Sequence, residues 1–372
     1  MLSLLTSQYT LILFWIGFVA LVAKYVKLTK TETIIGYKGE VERYNRLFAL
    51  IVIFPILLMA GTRLLYGDTA PYKIKYLSMP DTISGIPSYL GTVDKDIGFS
   101  LLSCIIKLFC HDNVTLYFFT IALIQGLFLI SVFRKYSFEY IVSVFLFVAS
   151  ADYFSWMFNG IRQFTAVTLI FAATTLILKK KYIPVILIVL LATTIHASAI
   201  IMIPFILIAY GKAWNIKTIV FIILVLIAVL FVGHFTDFLD ESLSSTQYSN
   251  VVNDYKQMSD GGTNPLRVLV YSIPTIIAFF ARKSIKETGS ELLNFCINMS
   301  IISSGIYIVS MFTSGIFLGR LPIYCSLYNY ILLPWEIKHL FSEKDRKWIW
   351  PIMVIAYLLF YFYQMHFAWS II

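Results

Sequence analysis

The chain has 372 residues, of which 59% are hydrophobic, 17% aromatic and only 13% charged, and its formal net charge is +9. Soluble domains carry roughly a quarter charged residues, so this composition excludes a soluble domain of ordinary size and indicates a polytopic membrane protein. The basic residues lie in short clusters between apolar runs rather than along one amphipathic face, which argues for a topological role and against nucleic acid as a partner.

The first apolar run, residues 8 to 26, has neither a basic leader nor a small-residue cleavage site, and it reads as a span rather than a removable signal peptide. A second span is expected at 46 to 63. Lys24, Lys27, Lys30, Lys38, Arg43 and Arg46 between them place that connection in the cytoplasm and the N-terminus outside. Residues 64–96 then form an external loop. The next segment, 97–110, is short and carries Lys107, which suits an interfacial or re-entrant helix. Spans at 114 to 133, 138 to 152 and 160 to 178 follow, with Arg134, Lys135 and Lys179 to Lys181 on the inside. Residues 182 to 210 are too long for one span and thin for two, and read as a helical hairpin turning near His196. A span at 216 to 233, a second external loop at 234–265 and four spans near 266 to 281, 291 to 312, 318 to 337 and 348 to 366 complete the chain. The expected fold is an all-α bundle of about 12 spans (range 10–14), one integral membrane domain over residues 1–372, with both termini outside.

Both external loops exceed the roughly 12 to 15 residues typical of structureless connections, so both are expected to handle substrate. In the second, Asp237, Asp240, Glu241, Asp254 and Asp260 with Tyr248 and Tyr255 suit a hydroxyl-rich ligand, although solvation accounts for them about as well. Cys104, Cys110, Cys296 and Cys325 fall in apolar segments without a CxxC pair, so they read as buried thiols, not disulfides or zinc ligands.

Phe158-Asn159-Gly160-Ile161-Arg162-Gln163-Phe164 is a polar knot between two apolar segments. An arginine at the edge of hydrocarbon is expensive and generally faces a cavity or an anionic partner. Asn159, Arg162 and Gln163 stand at i, i+3 and i+4, on one helical face. The parity of the spans puts them at the outer surface, and Arg63, Arg267 and Arg320 are expected at similar depth near span ends. Each alone could be a snorkelling anchor. Together, on a side that should be poor in basic residues, they suit a phosphate or diphosphate, which the planar guanidinium matches bidentately. Asp68, in Tyr66-Gly67-Asp68-Thr69, is either a turn carboxylate or a proton acceptor. Arg320, Tyr324 and Tyr328 fall at i, i+4 and i+8, a polar and aromatic stripe if the segment is helical. His196, among Thr193, Thr194 and Ser198, is a satisfied structural group or a general base. His111, His234, His339 and His366 show no metal-ligand spacing. P-loops, nucleophile elbows and cofactor motifs are absent from the sequence, so no cofactor is expected.

Gly61-Thr62-Arg63 through Gly67-Asp68-Thr69-Ala70-Pro71-Tyr72, then Asp96-Ile97-Gly98-Phe99, Phe158 to Gln163, His196-Ala197-Ser198, and Arg320 with Tyr324 resemble the EpsG-like branch of Wzy-type bacterial polysaccharide polymerases over residues 45 to 335. The first motif departs from the family form at Leu64-Leu65 and Thr69-Ala70, which loosens the role of Asp68. The resemblance implies a glycosyltransferase at the outer face of the cytoplasmic membrane, lengthening a glycan on undecaprenyl diphosphate by lipid-linked repeat units. A chain-length regulator and a flippase are the partners it implies. Arg162, Arg63, Arg320 and Arg267 would bind the diphosphates, with Asn159 and Gln163 orienting them and Tyr72 and Tyr324 beside substrate. His196 or Asp68 would be the base. A metal is not required, although Asp68, Asp94 and Asp96 lie on the appropriate side. Flippase, ligase and, with His196 alone at its centre, acyltransferase activities are the rival readings.

Overall fold

A computed structural model describes residues 7–26, 28–63, 67–243 and 261–371. Tyr248, Asp254, Tyr255 and Asp260 of the second loop lie outside the described residues. The described structure is predominantly helical. Among the described residues, five helices are long and apolar enough to cross a membrane, or up to eight spans if each of three bent pairs counts as one. The expected count of about twelve is reached only if four shorter apolar helices cross as well. Large apolar side chains such as Phe14, Phe18, Leu187, Leu224 and Leu359 face outward. Apolar surface on this scale is what a bilayer covers, and the chain is a membrane protein.

The chain divides into two compact units, one formed by residues up to Ile35, Gly39–Ile200 and residues from Ile337, the other by Gly36–Lys38 and Ile201–Glu336. The first begins with α1 (Gln8–Tyr25), capped by the Ser7 hydroxyl. The fold is not purely helical: β1 (Thr29–Thr33) and β2 (Glu40–Tyr44) form an antiparallel hairpin where a basic connection was expected. Threonine, valine and alternating charge favour extended chain there, and Arg43 is drawn into the hairpin by Glu32 at 2.7 Å.

Helix α2 (Arg46–Gly61) packs on α5 (Val114–Tyr136), with Gly61 close enough that a Cβ would meet Phe119 at 2.6 Å. Between them the expected external loop is itself structured, containing α3 (Thr69–Leu77) and a turn of helix at Ile86–Leu90. Helix α4 (Ile97–Cys110) follows. Its Lys107 is buried within the protein: Nζ donates to the carbonyls of Tyr76 (3.1 Å) and Leu77 (2.8 Å) at the end of α3 and pairs with Asp112 at 3.0 Å. Helix α6 (Tyr140–Ala149) breaks by 68° into π-helical turns at Tyr153–Asn159, then α7 (Ile161–Ala172) starts, extended by Thr174–Leu178. Gln125 of α5 holds that start, donating to the Ile161 carbonyl (3.1 Å) and the Thr165 hydroxyl (2.9 Å). Helix α8 (Tyr182–Ile195) packs on α7 and α4 and ends at His196, where a break was expected.

In the second unit α9 (Met202–Ala209), α10 (Ile216–Leu230) and α12 (Pro265–Phe280) surround α13 (Glu291–Met311), which is buried almost along its whole length. Helix α11 (Val232–Leu243) turns 102° away from α10 and occupies the beginning of the expected second loop. Helix α14 (Asn329–Leu340) runs from this unit into the first, where α15 (Glu343–Tyr363) packs on α6. All four cysteines are free and buried.

Candidate active site

Four sequence motifs come together in the first unit, because the irregular backbone at each leaves polar groups that helices would have consumed. The π turns of Tyr153–Asn159 close when Gly160 donates to the Ser155 carbonyl at 3.2 Å. A Cβ at Gly160 would lie 2.8 Å from the Trp156 ring, so only glycine lets the chain turn there into α7. That turn sets Arg162 in the first turn of α7, where the helix dipole disfavours a cation.

The opposing charge is Asp96, at the N-cap of α4. Arg162 Nη1 stands 2.8 Å from Asp96 Oδ2, and Arg162 Nε donates to the Tyr72 hydroxyl at 3.1 Å. The other carboxylate oxygen, Oδ1, accepts from the Ala197 N–H at 3.4 Å. Thus Asp96 lies between the polar knot and the break after α8. At that break His196 is extended, and its Nδ1 is 2.7 Å from the Ser198 hydroxyl. Gly98 completes the junction: a Cβ there would run into Thr194 Oγ1.

Beside Arg162 is a pocket of about 240 Å³. Tyr72, Phe99 and Tyr117 supply its aromatic walls, and Asp68, Lys75 and Arg162 its charged groups. With Asp96 on Arg162, two cations face two carboxylates, so the charges around this largely apolar pocket are close to balanced. Burial pushes the Tyr72 hydroxyl above its ordinary value although Arg162 pulls it down, which keeps it protonated and able to donate. Burial and the nearby Arg162 together push the Lys75 ammonium down, against the pull of Asp96.

The expected residues divide. Arg162, Tyr72 and Asp68 line the pocket; Asn159 stands behind Asp68, against Gly67; Gln163 is buried one residue beyond Arg162. His196 reaches the assembly through its neighbour Ala197 and is not among the lining residues. Arg63 is not a lining residue either. Its Nε donates to the Ala60 carbonyl (2.6 Å) and its Nη1 to that of Phe158 (3.4 Å), with the guanidinium 4.2 Å from the Phe118 ring centroid and 4.9 Å from that of Phe158. Arg267, Arg320 and Tyr324 belong to the second unit. Arg267 lies 5.5 Å from the Tyr271 ring centroid, and Arg320 is exposed. The stripe expected from Arg320, Tyr324 and Tyr328 does not exist as one helical face. The chain there is a turn of 3-10 helix at Leu318–Arg320, a short helix at Ile323–Ser326 and then α14, and both tyrosines are buried in the core. Pro322 removes the donor that a continuous helix would need. Among the described residues, Asp68, Asp94 and Asp96 do not form a metal-holding group.

Lys75 and Tyr117 were not singled out from the sequence, and Asp96 and Phe99 entered only as part of a motif, Asp96 also as a carboxylate on the side where a metal could sit. Lys75 carried a signal: Asp68, Tyr72 and Lys75 fall at i, i+4 and i+7, which a helix turns to one face. It was hidden by reading residues 64–96 as a loop.

The family model of the EpsG family matches residues 46–370, so the chain belongs to that family of membrane polysaccharide-polymerase-like proteins. Comparison with curated proteins gives no match, and comparison with solved structures gives none.

Proposed function

We propose that this EpsG-family chain is a membrane glycosyltransferase that polymerises undecaprenyl-diphosphate-linked repeat units at the outer face of the bacterial cytoplasmic membrane. Family membership and the apolar helices support a membrane polymerase. The observation that carries the reading further is the pocket at Arg162, where aromatic walls suited to sugar rings adjoin two cations and a carboxylate.

In this reading Asp68, which lines the pocket, takes the proton of the acceptor hydroxyl. The hydroxyl oxygen forms a bond to the anomeric carbon of the donor glycan as the bond from that carbon to the diphosphate oxygen breaks. The lipid diphosphate leaves with the electron pair. Arg162 and Lys75 stabilise the charge that grows on it, as preorganised donors in a water-poor site do best. Tyr72 fixes the Arg162 fork and presents its ring to substrate. Arg267 and Arg320 are proposed to bind lipid-linked diphosphate at the second unit itself, and Tyr324 to support that segment from its buried position. A flippase and a chain-length regulator are the partners such a reaction calls for.

Purified protein in lipid, supplied only with lipid-linked repeat units, tests the proposal. Lengthening of the glycan supports it. Transport without lengthening identifies a flippase, and transfer that begins only once an acceptor without a lipid diphosphate is added identifies a ligase; either overturns it.

A further inference from the structure

Asp96 combines three features that local backbone preference does not explain. Its φ of 55° and ψ of 48° lie in the left-handed region, which aspartate tolerates but which still carries strain. It is the N-cap of α4, its carbonyl accepting from Phe99 (3.0 Å) and Ser100 (3.1 Å), yet its side chain makes no cap bond to that helix. An N-cap aspartate ordinarily turns back onto its own first turn. Here the carboxylate, only 7% exposed, reaches away, one oxygen to Arg162 of α7 and the other to the Ala197 N–H after α8.

We propose that Asp96 is the positioning residue of the site: it fixes the Arg162 guanidinium beside the pocket and balances its charge, so that an incoming diphosphate meets an oriented but partly neutralised cation. The polymerase part of this inference rests on the function proposed above; the charge-balancing part does not. Balance has a chemical use, because a cation that held the departing diphosphate too tightly would slow its release. Removing the carboxylate charge therefore has opposite effects on two measurements. Ground-state binding of a diphosphate tightens, whereas turnover falls because the fork is no longer aimed. Misplacement of a positioned group by about 1 Å can lower the rate by roughly a hundredfold.

The test uses Asp96→Asn and Asp96→Gly in the full chain. Asparagine and glycine both accept a positive φ, so each keeps the backbone while removing the charge. The first arm measures binding of inorganic diphosphate to the purified protein, with Arg162→Ala and the Arg162→Ala, Asp96→Asn pair as references. The expected results are tighter binding in Asp96→Asn and no gain when Arg162 is absent. Unchanged or weaker binding in Asp96→Asn overturns the inference, whether or not the protein proves to be a polymerase. The second arm measures kcat and KM for lipid-linked units. A lower kcat with an equal or lower KM is expected, and no further loss when Asp96→Asn is added to Arg162→Ala. Additive losses overturn the claim that Asp96 acts through Arg162. If the wild-type chain does not lengthen glycans, the function fails while the binding arm still decides the role of Asp96.

Discussion

Gly67 and Asn159 are in contact: a Cβ on Gly67 would stand 2.8 Å from the Asn159 amide oxygen. Through this contact the turn that presents Asp68 is seated on the residue that begins the polar knot. Gly67 also has a φ of +56°, so alanine would add left-handed strain of about 1–2 kcal/mol to the clash. Gly67→Ala should therefore lose polymer synthesis while its thermal unfolding in detergent shifts by only a few degrees. Full synthesis in a folded Gly67→Ala protein would show that Asp68 needs no such seat.

Lys107 holds the end of α3 from within. Lys107→Met removes a donor from the Tyr76 carbonyl, which keeps the Met79 N–H, and from the Leu77 carbonyl, and should cost about 1–3 kcal/mol. Thermal unfolding checks the loss directly. Because α3 carries Asp68 at its N-cap and Tyr72 and Lys75 along it, activity should fall with it.

Arg63→Ala separates a structural arginine from a ligand. Loss of its two carbonyl bonds and of the contacts with Phe118 and Phe158 should lower stability by about 2 kcal/mol. The KM of the remaining folded protein for lipid-linked units should change little. A large rise in KM at unchanged stability would restore Arg63 to the diphosphate.

In the second unit Asn298 of α13 donates to the Ala209 (2.9 Å) and Lys212 (3.1 Å) carbonyls and accepts from Trp214 N–H (3.3 Å). Asn298→Ala should cost about 1–3 kcal/mol, read as a lower unfolding temperature, since it leaves the buried Ala209 carbonyl without its donor, whereas the Lys212 carbonyl keeps Asn215. An unchanged unfolding temperature would mean that solvent reaches this turn.

Apolar length was legible in the sequence, and the helices at Gln8–Tyr25, Val114–Tyr136 and Glu291–Met311 lie where apolar runs predict them. Arg162 was legible for the same reason, because a cation with polar neighbours stands out against hydrocarbon. Its partner was harder to see. Asp96 lies 66 residues away in sequence, and nothing local indicates that its side chain abandons its own helix for α7. Arg63 is harder to read by type: a guanidinium serves two carbonyls and two aromatic rings as readily as a phosphate, and sequence alone does not distinguish these uses. The hairpin at Thr29–Tyr44 was masked by its basic residues, whose charge speaks to topology and not to backbone conformation.

The most direct test of the proposed function compares wild-type and Arg162→Ala protein in reconstituted membranes given lipid-linked repeat units alone. The wild-type protein should produce a ladder of lengthened glycans. The variant, inserted and folded to the same extent, should extend single units several hundredfold more slowly, since removing one such donor costs about 3–4 kcal/mol of transition-state stabilisation. Wild-type glycan lengths from Arg162→Ala would contradict the assignment of the site.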